Sequence, residues 1–143
     1  MSSTNLDNLV KAKQLKSEPP DQNQVDGMIR SARNRLADLE LEGMSDEGRF
    51  LLAYGAVHSL SLAALRWHGY RSENRYIVFQ CLPHTIGLED HKWRVLAQCH
   101  NLRNQAEYEG ALDITPQLLQ ELIGITLEVL TSVEALGPLS QSS

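Results

Sequence analysis

Cysteine is scarce: Cys81 and Cys99 are the two thiols among 143 residues. Neither sits at a metal-ligand spacing, and two distant cysteines make no disulfide framework, so both are expected as buried free thiols. The chain also lacks a His-Glu-x-x-His box, and its five histidines are scattered. A Walker-type phosphate loop and a Gly-x-Ser-x-Gly elbow are absent as well, which removes the motif grounds for a zinc hydrolase, a P-loop enzyme or a serine hydrolase. No metal and no cofactor are expected. No apolar run approaches the roughly 20 residues that span a bilayer. The opening MSSTNLDNLVKAKQLKSEPP has basic residues but no apolar stretch of the kind a secretion signal needs. A cytoplasmic protein without a membrane partner is the expectation.

Basic residues are missing from one end. Residues 104–143 hold no Lys or Arg against 6 Asp/Glu, whereas residues 66–103 hold 6 Lys/Arg against 3 Asp/Glu. The net charge of -5 argues against indiscriminate nucleic-acid binding. The middle is nevertheless locally basic, with Arg66, Arg71, Arg75, Lys92, Arg94 and Arg103 beside His68, His84, His91 and His100. Such a cluster is either a solvated helix surface or a patch for an anion or RNA.

What is abundant is helical periodicity. At 143 residues and 42% hydrophobic content the chain suits one domain with one core. The expected fold is all-α, an antiparallel bundle of about five or six helices. Residues 1–20 read as an N-terminal extension with a possible short helix, broken by Pro19 and Pro20; residues 21–137 form the helical domain, and residues 138–143 a disordered tail. Val25, Met28, Ile29, Ala32, Leu36 and Leu39 make an apolar stripe on a helix over 21–42, which Gly43 should end. Ser45 should cap the next helix, whose apolar residues lie on more than one face and whose Gly55, Ala56, Ala63 and Ala64 permit close neighbours. The run YIVFQCL at 76–82 has strand propensity, but no second credible strand exists to pair with it, so a helix is expected. Trp93, Leu96, Cys99, Leu102 and Ala106 stripe a helix over 88–108. Thr115 and Pro116 open the last helix, which is apolar nearly all round and therefore central or in contact with a second subunit. A homodimer is expected on that ground.

The stretch CHNLRNQAEYEG, residues 99–110, concentrates polar chemistry. Residues three and four apart share a helix face, so His100, Arg103, Asn104 and Glu107 form one stripe, with Tyr108 next to Asn104. One reading is a hydrogen-bonded seam that fixes helix register or lines a dimer contact. The other gives Arg103 a phosphate, His100 a proton to move, and Asn104 and Tyr108 a ribose or base to position. That set would suit metal-independent cleavage in which a ribose 2'-hydroxyl attacks its own phosphate, or nucleotide binding without chemistry.

The segments GRFLLAYGAVHSLSLAALRWHGYR and LRNQAEYEG resemble the HEPN superfamily, the higher eukaryotes and prokaryotes nucleotide-binding domain. The likeness covers roughly residues 22–136. It implies a small helical bundle of a prokaryotic toxin–antitoxin or defence system, with RNA or nucleotide as ligand and a cognate antitoxin or nucleotidyltransferase as protein partner. It further implies a phosphate-binding Arg103 with Asn104 beside it. Catalytic members carry a histidine separated from that arginine by four to six residues, and here Tyr108 takes its place; His100, one turn before Arg103, is the alternative proton carrier. Arg103 and His100 are thus the candidate catalytic residues, and Arg103, Asn104, Glu107 and Tyr108 the candidate RNA- or nucleotide-binding set. A plain helical scaffold or regulatory subunit is the competing function.

Overall fold

The computed structural model describes residues 4–139. They form seven helices and one two-stranded ribbon: α1 (Thr4–Lys11), β1 (Lys16–Ser17), α2 (Gln22–Asp38), α3 (Asp46–Trp67), β2 (Tyr70–Arg71), α4 (Arg75–Gln80), α5 (Leu82–Thr85), α6 (Asp90–Glu109) and α7 (Pro116–Glu134). The all-α expectation holds. The YIVFQCL run is helical, opened by Asn74, whose side chain accepts from the Ile77 N–H. Strand pairing occurs instead between β1 and β2, antiparallel, with Lys16 opposite Arg71 and Ser17 opposite Tyr70. Two residues per strand leave no sequence period to read.

Side chains set most helix starts. The Asp21, Ser45 and Thr115 side chains accept from Gln24, Gly48 and Leu118 N–H groups, satisfying first-turn donors that the helices cannot. α2 ends at Asp38, ahead of Gly43, because its last turn tightens: Leu39 donates to both Arg35 and Leu36 carbonyls, Glu40 to Ala37 and Leu41 to Asp38. Gly110 closes α6 in the left-handed region at φ 79°, with its N–H on the Ala106 carbonyl.

α3 is the central helix. Phe50, Ala53, Ala56, Val57, Leu60, Ala63 and Ala64 are all fully buried. Its alanines let α2 and α7 pack closely, and its remaining faces meet α4, α5 and α6. The main core joins Val25 and Ala32 of α2, Trp93, Leu96 and Cys99 of α6, and Leu119, Leu122, Ile125, Val129 and Val133 of α7. α7 therefore covers most of its apolar surface within one chain; Leu127 is its large apolar residue left exposed.

A second core gathers Leu6, Leu15, Leu65, Tyr70, Ile77, Val78 and Cys81. It makes the N-terminal segment part of the bundle: Leu6 is fully buried, and β1 holds the arm against β2. Arg66 fastens it further. Buried at 4% exposure, its guanidinium donates to the Gln24 side chain at 2.9 Å and to the Glu18 and Pro19 carbonyls at 3.2 and 2.8 Å. The Glu18 carboxylate lies 3.2 Å away. At the other end, Trp67 donates to the Gly137 carbonyl and Leu139 to the Gln22 side chain. Residues 140–143 of the expected tail lie outside the described residues.

Candidate functional site

The basic middle of the chain sorts into committed and uncommitted charges. Arg66 staples the N-terminal arm. Arg71 pairs with Glu18 at 3.1 Å and Glu73 at 3.4 Å. Lys92 lies between Glu89 and Glu128 at 2.8 and 2.6 Å, and Arg94 covers the Trp93 ring at 5.0 Å. His68 bonds the Thr85 carbonyl at 2.9 Å and His84 meets Asn5 at 3.3 Å. These residues serve the fold. Apart from the exposed His91, Arg75 and Arg103 remain, Arg103 with the exposed Glu107 at 3.4 Å.

Both converge on Tyr54. Each guanidinium carbon lies 5.6 Å from the centroid of the Tyr54 ring, a cation–π distance. Tyr54 is buried on α3, stacked on His100 at 6.3 Å and edge-on to Phe79 at 5.9 Å. Phe79 also meets the His58 and His100 rings edge-on, at 6.0 and 6.5 Å. The site is thus a ring-lined seat where α3, α4 and α6 meet. Tyr54 and His58 share one face of α3 by their spacing of four. Gly55 lets Arg35 of α2 lie close, since a Cβ there would fall 2.9 Å from Arg35 Nε.

His100 is engaged on both sides. Its Nδ1 is 2.8 Å from the Tyr54 hydroxyl and its Nε2 is 3.3 Å from the Asn104 amide. A neutral imidazole has one donor and one acceptor, so these two contacts use its full capacity. Burial lowers its pKa, and the Arg75 and Arg103 charges lower it further. Burial raises the Tyr54 pKa, with the hydrogen bond and charge of Arg75 and the charge of Arg103 pulling against it. His58 is held down to about 4, first by burial and then by Arg75, His100, Arg103 and Arg35. Both histidines are neutral at pH 7 in a positive field.

Of the residues singled out in the sequence, Arg103, His100 and Asn104 come together as a stripe on α6. Glu107 reaches Arg103 at 3.4 Å from an exposed position. Tyr108 stands apart in solvent at 92% exposure. Three contributors escaped the sequence reading as site residues: Tyr54, His58 and Arg75. Tyr54 lies among the apolar residues of α3, and only the packing of α3 on α4 and α6 joins it to Arg103. The polar pair Tyr54 and His58 on one face of an apolar helix was the available signal. Cys81 and Cys99 are buried free thiols pushed up to about 12 by burial. Among the described residues no cluster of His, Cys, Asp and Glu could hold a metal ion.

No family model, no curated protein and no solved structure matches this chain.

Proposed function

We propose that the chain is a HEPN-like RNA- or nucleotide-binding domain of a prokaryotic toxin–antitoxin or defence system, which takes phosphate at Arg75 and Arg103. One observation carries this reading: two guanidinium groups share the Tyr54 ring, and the carboxylate paired with either among the described residues is the exposed Glu107. Like charges gathered beside neutral histidines and aromatic rings favour an anion and offer rings for a base. Binding is favoured over cleavage. Both His100 nitrogens are occupied, so His100 serves better to orient Tyr54 and Asn104 than to carry a proton, and Tyr108 replaces the histidine of cleaving members. A homodimer joined through α6 or α7 would bring two such clusters into one groove, and an antitoxin or nucleotidyltransferase partner belongs to the same reading.

The Arg103–Glu107 contact supports a second reading, in which the polar stripe is structural in a helical scaffold. Fluorescence anisotropy with short single-stranded RNA at low and moderate salt separates the two. Arg75→Ala and Arg103→Ala should each weaken binding by about tenfold or more, the worth of a lost charge-assisted hydrogen bond, with thermal melts close to wild type. Absence of wild-type affinity, with a lowered melt in Arg103→Ala, would favour the scaffold.

A further inference from the structure

Arg75 serves two places at once. Besides standing over Tyr54, it lines a cavity of about 550 Å³ together with His58. Met28 and Leu62 supply apolar wall, and Arg66, Arg71, Glu18 and Glu73 supply charges already paired with one another. The basic groups facing this space with capacity to spare are His58 and Arg75, beside the Gln24 amide and the Ser72 hydroxyl. His58 has no hydrogen-bond partner at either ring nitrogen among the described residues, and Arg75 has no carboxylate partner among them. A half-buried imidazole without a partner, beside an arginine without a counter-ion, is an arrangement completed by an anion that accepts hydrogen bonds from both.

We propose that His58 and Arg75 form an anion subsite in this cavity for the phosphate group of a nucleotide or of an RNA end, and that binding there brings a proton onto His58. The proposal deepens the function given above and rests on it in taking the ligand's charge from phosphate. The charged and titratable groups around His58 are Arg35 from α2, Tyr54 from α3, Arg75 from α4, and His100 and Arg103 from α6. The paired Glu18, Arg66, Arg71 and Glu73 stand on the cavity wall. Burial first, and the positive field of the surrounding arginines second, keep His58 neutral. A phosphate at Arg75 offsets that field and gives an imidazolium N–H an acceptor; both effects favour the protonated ring. Ligand binding and proton binding are then linked and reciprocal.

The test is an NMR titration of the His58 ring between pH 7.5 and about 4.5, its resonance assigned by comparison with His58→Gln. Probes are inorganic phosphate, a nucleoside 5'-monophosphate, and one short RNA with either a 5'-phosphate or a 5'-hydroxyl. Without anion the His58 signal should remain neutral down to about pH 5. With a saturating phosphate probe its midpoint should rise by about one unit or more, and affinity relative to His58→Gln should tighten by up to about tenfold per pH unit as pH falls. His58→Gln should bind more weakly and keep only the pH dependence that the phosphate's own second ionisation, near about pH 6, imposes on both proteins. A response to free phosphate and nucleotide alike assigns the subsite to small phosphates, and a response confined to 5'-phosphorylated RNA assigns it to strand ends. An unchanged His58 titration under saturating ligand, a pH dependence of affinity in His58→Gln identical to that of the wild type, or no binding by any phosphate probe would overturn the proposal. The two claims separate on Arg103 and His58: Arg103-dependent RNA binding with His58 silent toward every phosphate probe, the 5'-phosphorylated RNA included, keeps the general function and removes the subsite. A responding His58 with RNA binding indifferent to Arg103 does the reverse.

Discussion

Replacing Arg66 with methionine tests whether this arginine belongs to the fold or to a basic surface. Methionine keeps much of the apolar stem and removes the fork that holds the Gln24 side chain, the Glu18 and Pro19 carbonyls and the Glu18 carboxylate. Removing one member of a buried charged network costs about 3–5 kcal/mol. Pro19 is exposed and Glu18 half-exposed, so their freed oxygens regain water, and the expected loss falls to about 3 kcal/mol. For a domain of this size that is a Tm lower by about 10 °C. Urea unfolding gives the free energy, and amide exchange gives its location: protection should fall in α1 and across residues 16–18 while α6 and α7 hold. Arg66→Lys should rescue little, since an ammonium cannot span the same acceptors. A loss below about 1 kcal/mol, or exchange that rises evenly through the chain, would refute this account of Arg66.

Tyr54→Phe should cost about 1–3 kcal/mol by leaving His100 Nδ1 without its partner, and a double-mutant cycle with His100→Ala should recover that coupling in urea melts. His58 has a folded pKa of about 4 against an ordinary 6.5, so the unfolded chain binds the extra proton between those values. Stability is thus full above about pH 6.5 and is lost as pH falls toward 4, by about 2–3 kcal/mol from this group; His58→Gln should flatten that part of the urea-derived pH profile. Gly124 is exposed within α7 with nothing within 4 Å of a Cβ, whereas Gly110 sits at φ 79°. Gly124→Ala should accordingly stabilise by about 0.5–1 kcal/mol and Gly110→Ala destabilise by about as much, as thermal melts would show. Cys81 and Cys99, buried and pushed up to about 12, should react with a thiol reagent only once denaturant is added.

The helices were legible because their signals are local. Asp21, Ser45, Thr115 and Gly110 act within a few positions of themselves, and the stripes from Val25 to Leu39 and from Trp93 to Cys99 repeat with the helix. The ribbon of Lys16 with Arg71 was not legible, since a pair of two-residue strands has no period and its partners lie far apart in the chain. The site divided the same way. His100, Arg103 and Asn104 announce one another by spacing on α6, but nothing near Arg75 in the chain tells it apart from Arg66 or Arg71. The difference lies in what each meets after folding: Arg66 finds carbonyls, Arg71 finds carboxylates, and Arg75 finds the face of a ring.

The Arg66 staple also has a consequence for the order of events during synthesis. It joins Arg66 to Glu18 and Pro19 across separations of 48 and 47 positions, and the second core joins Leu6 to Val78 and Cys81. The arm leaves the ribosome ahead of its anchors, which arrive only after α3 and α4 have been made. At ordinary elongation speeds of about 5–20 residues per second, it waits several seconds with nothing to hold it. Glu18 is one wall of the cavity beside His58, so that cavity takes shape late. A nascent chain can hold α2 and α3 in place and still have this cavity unfinished.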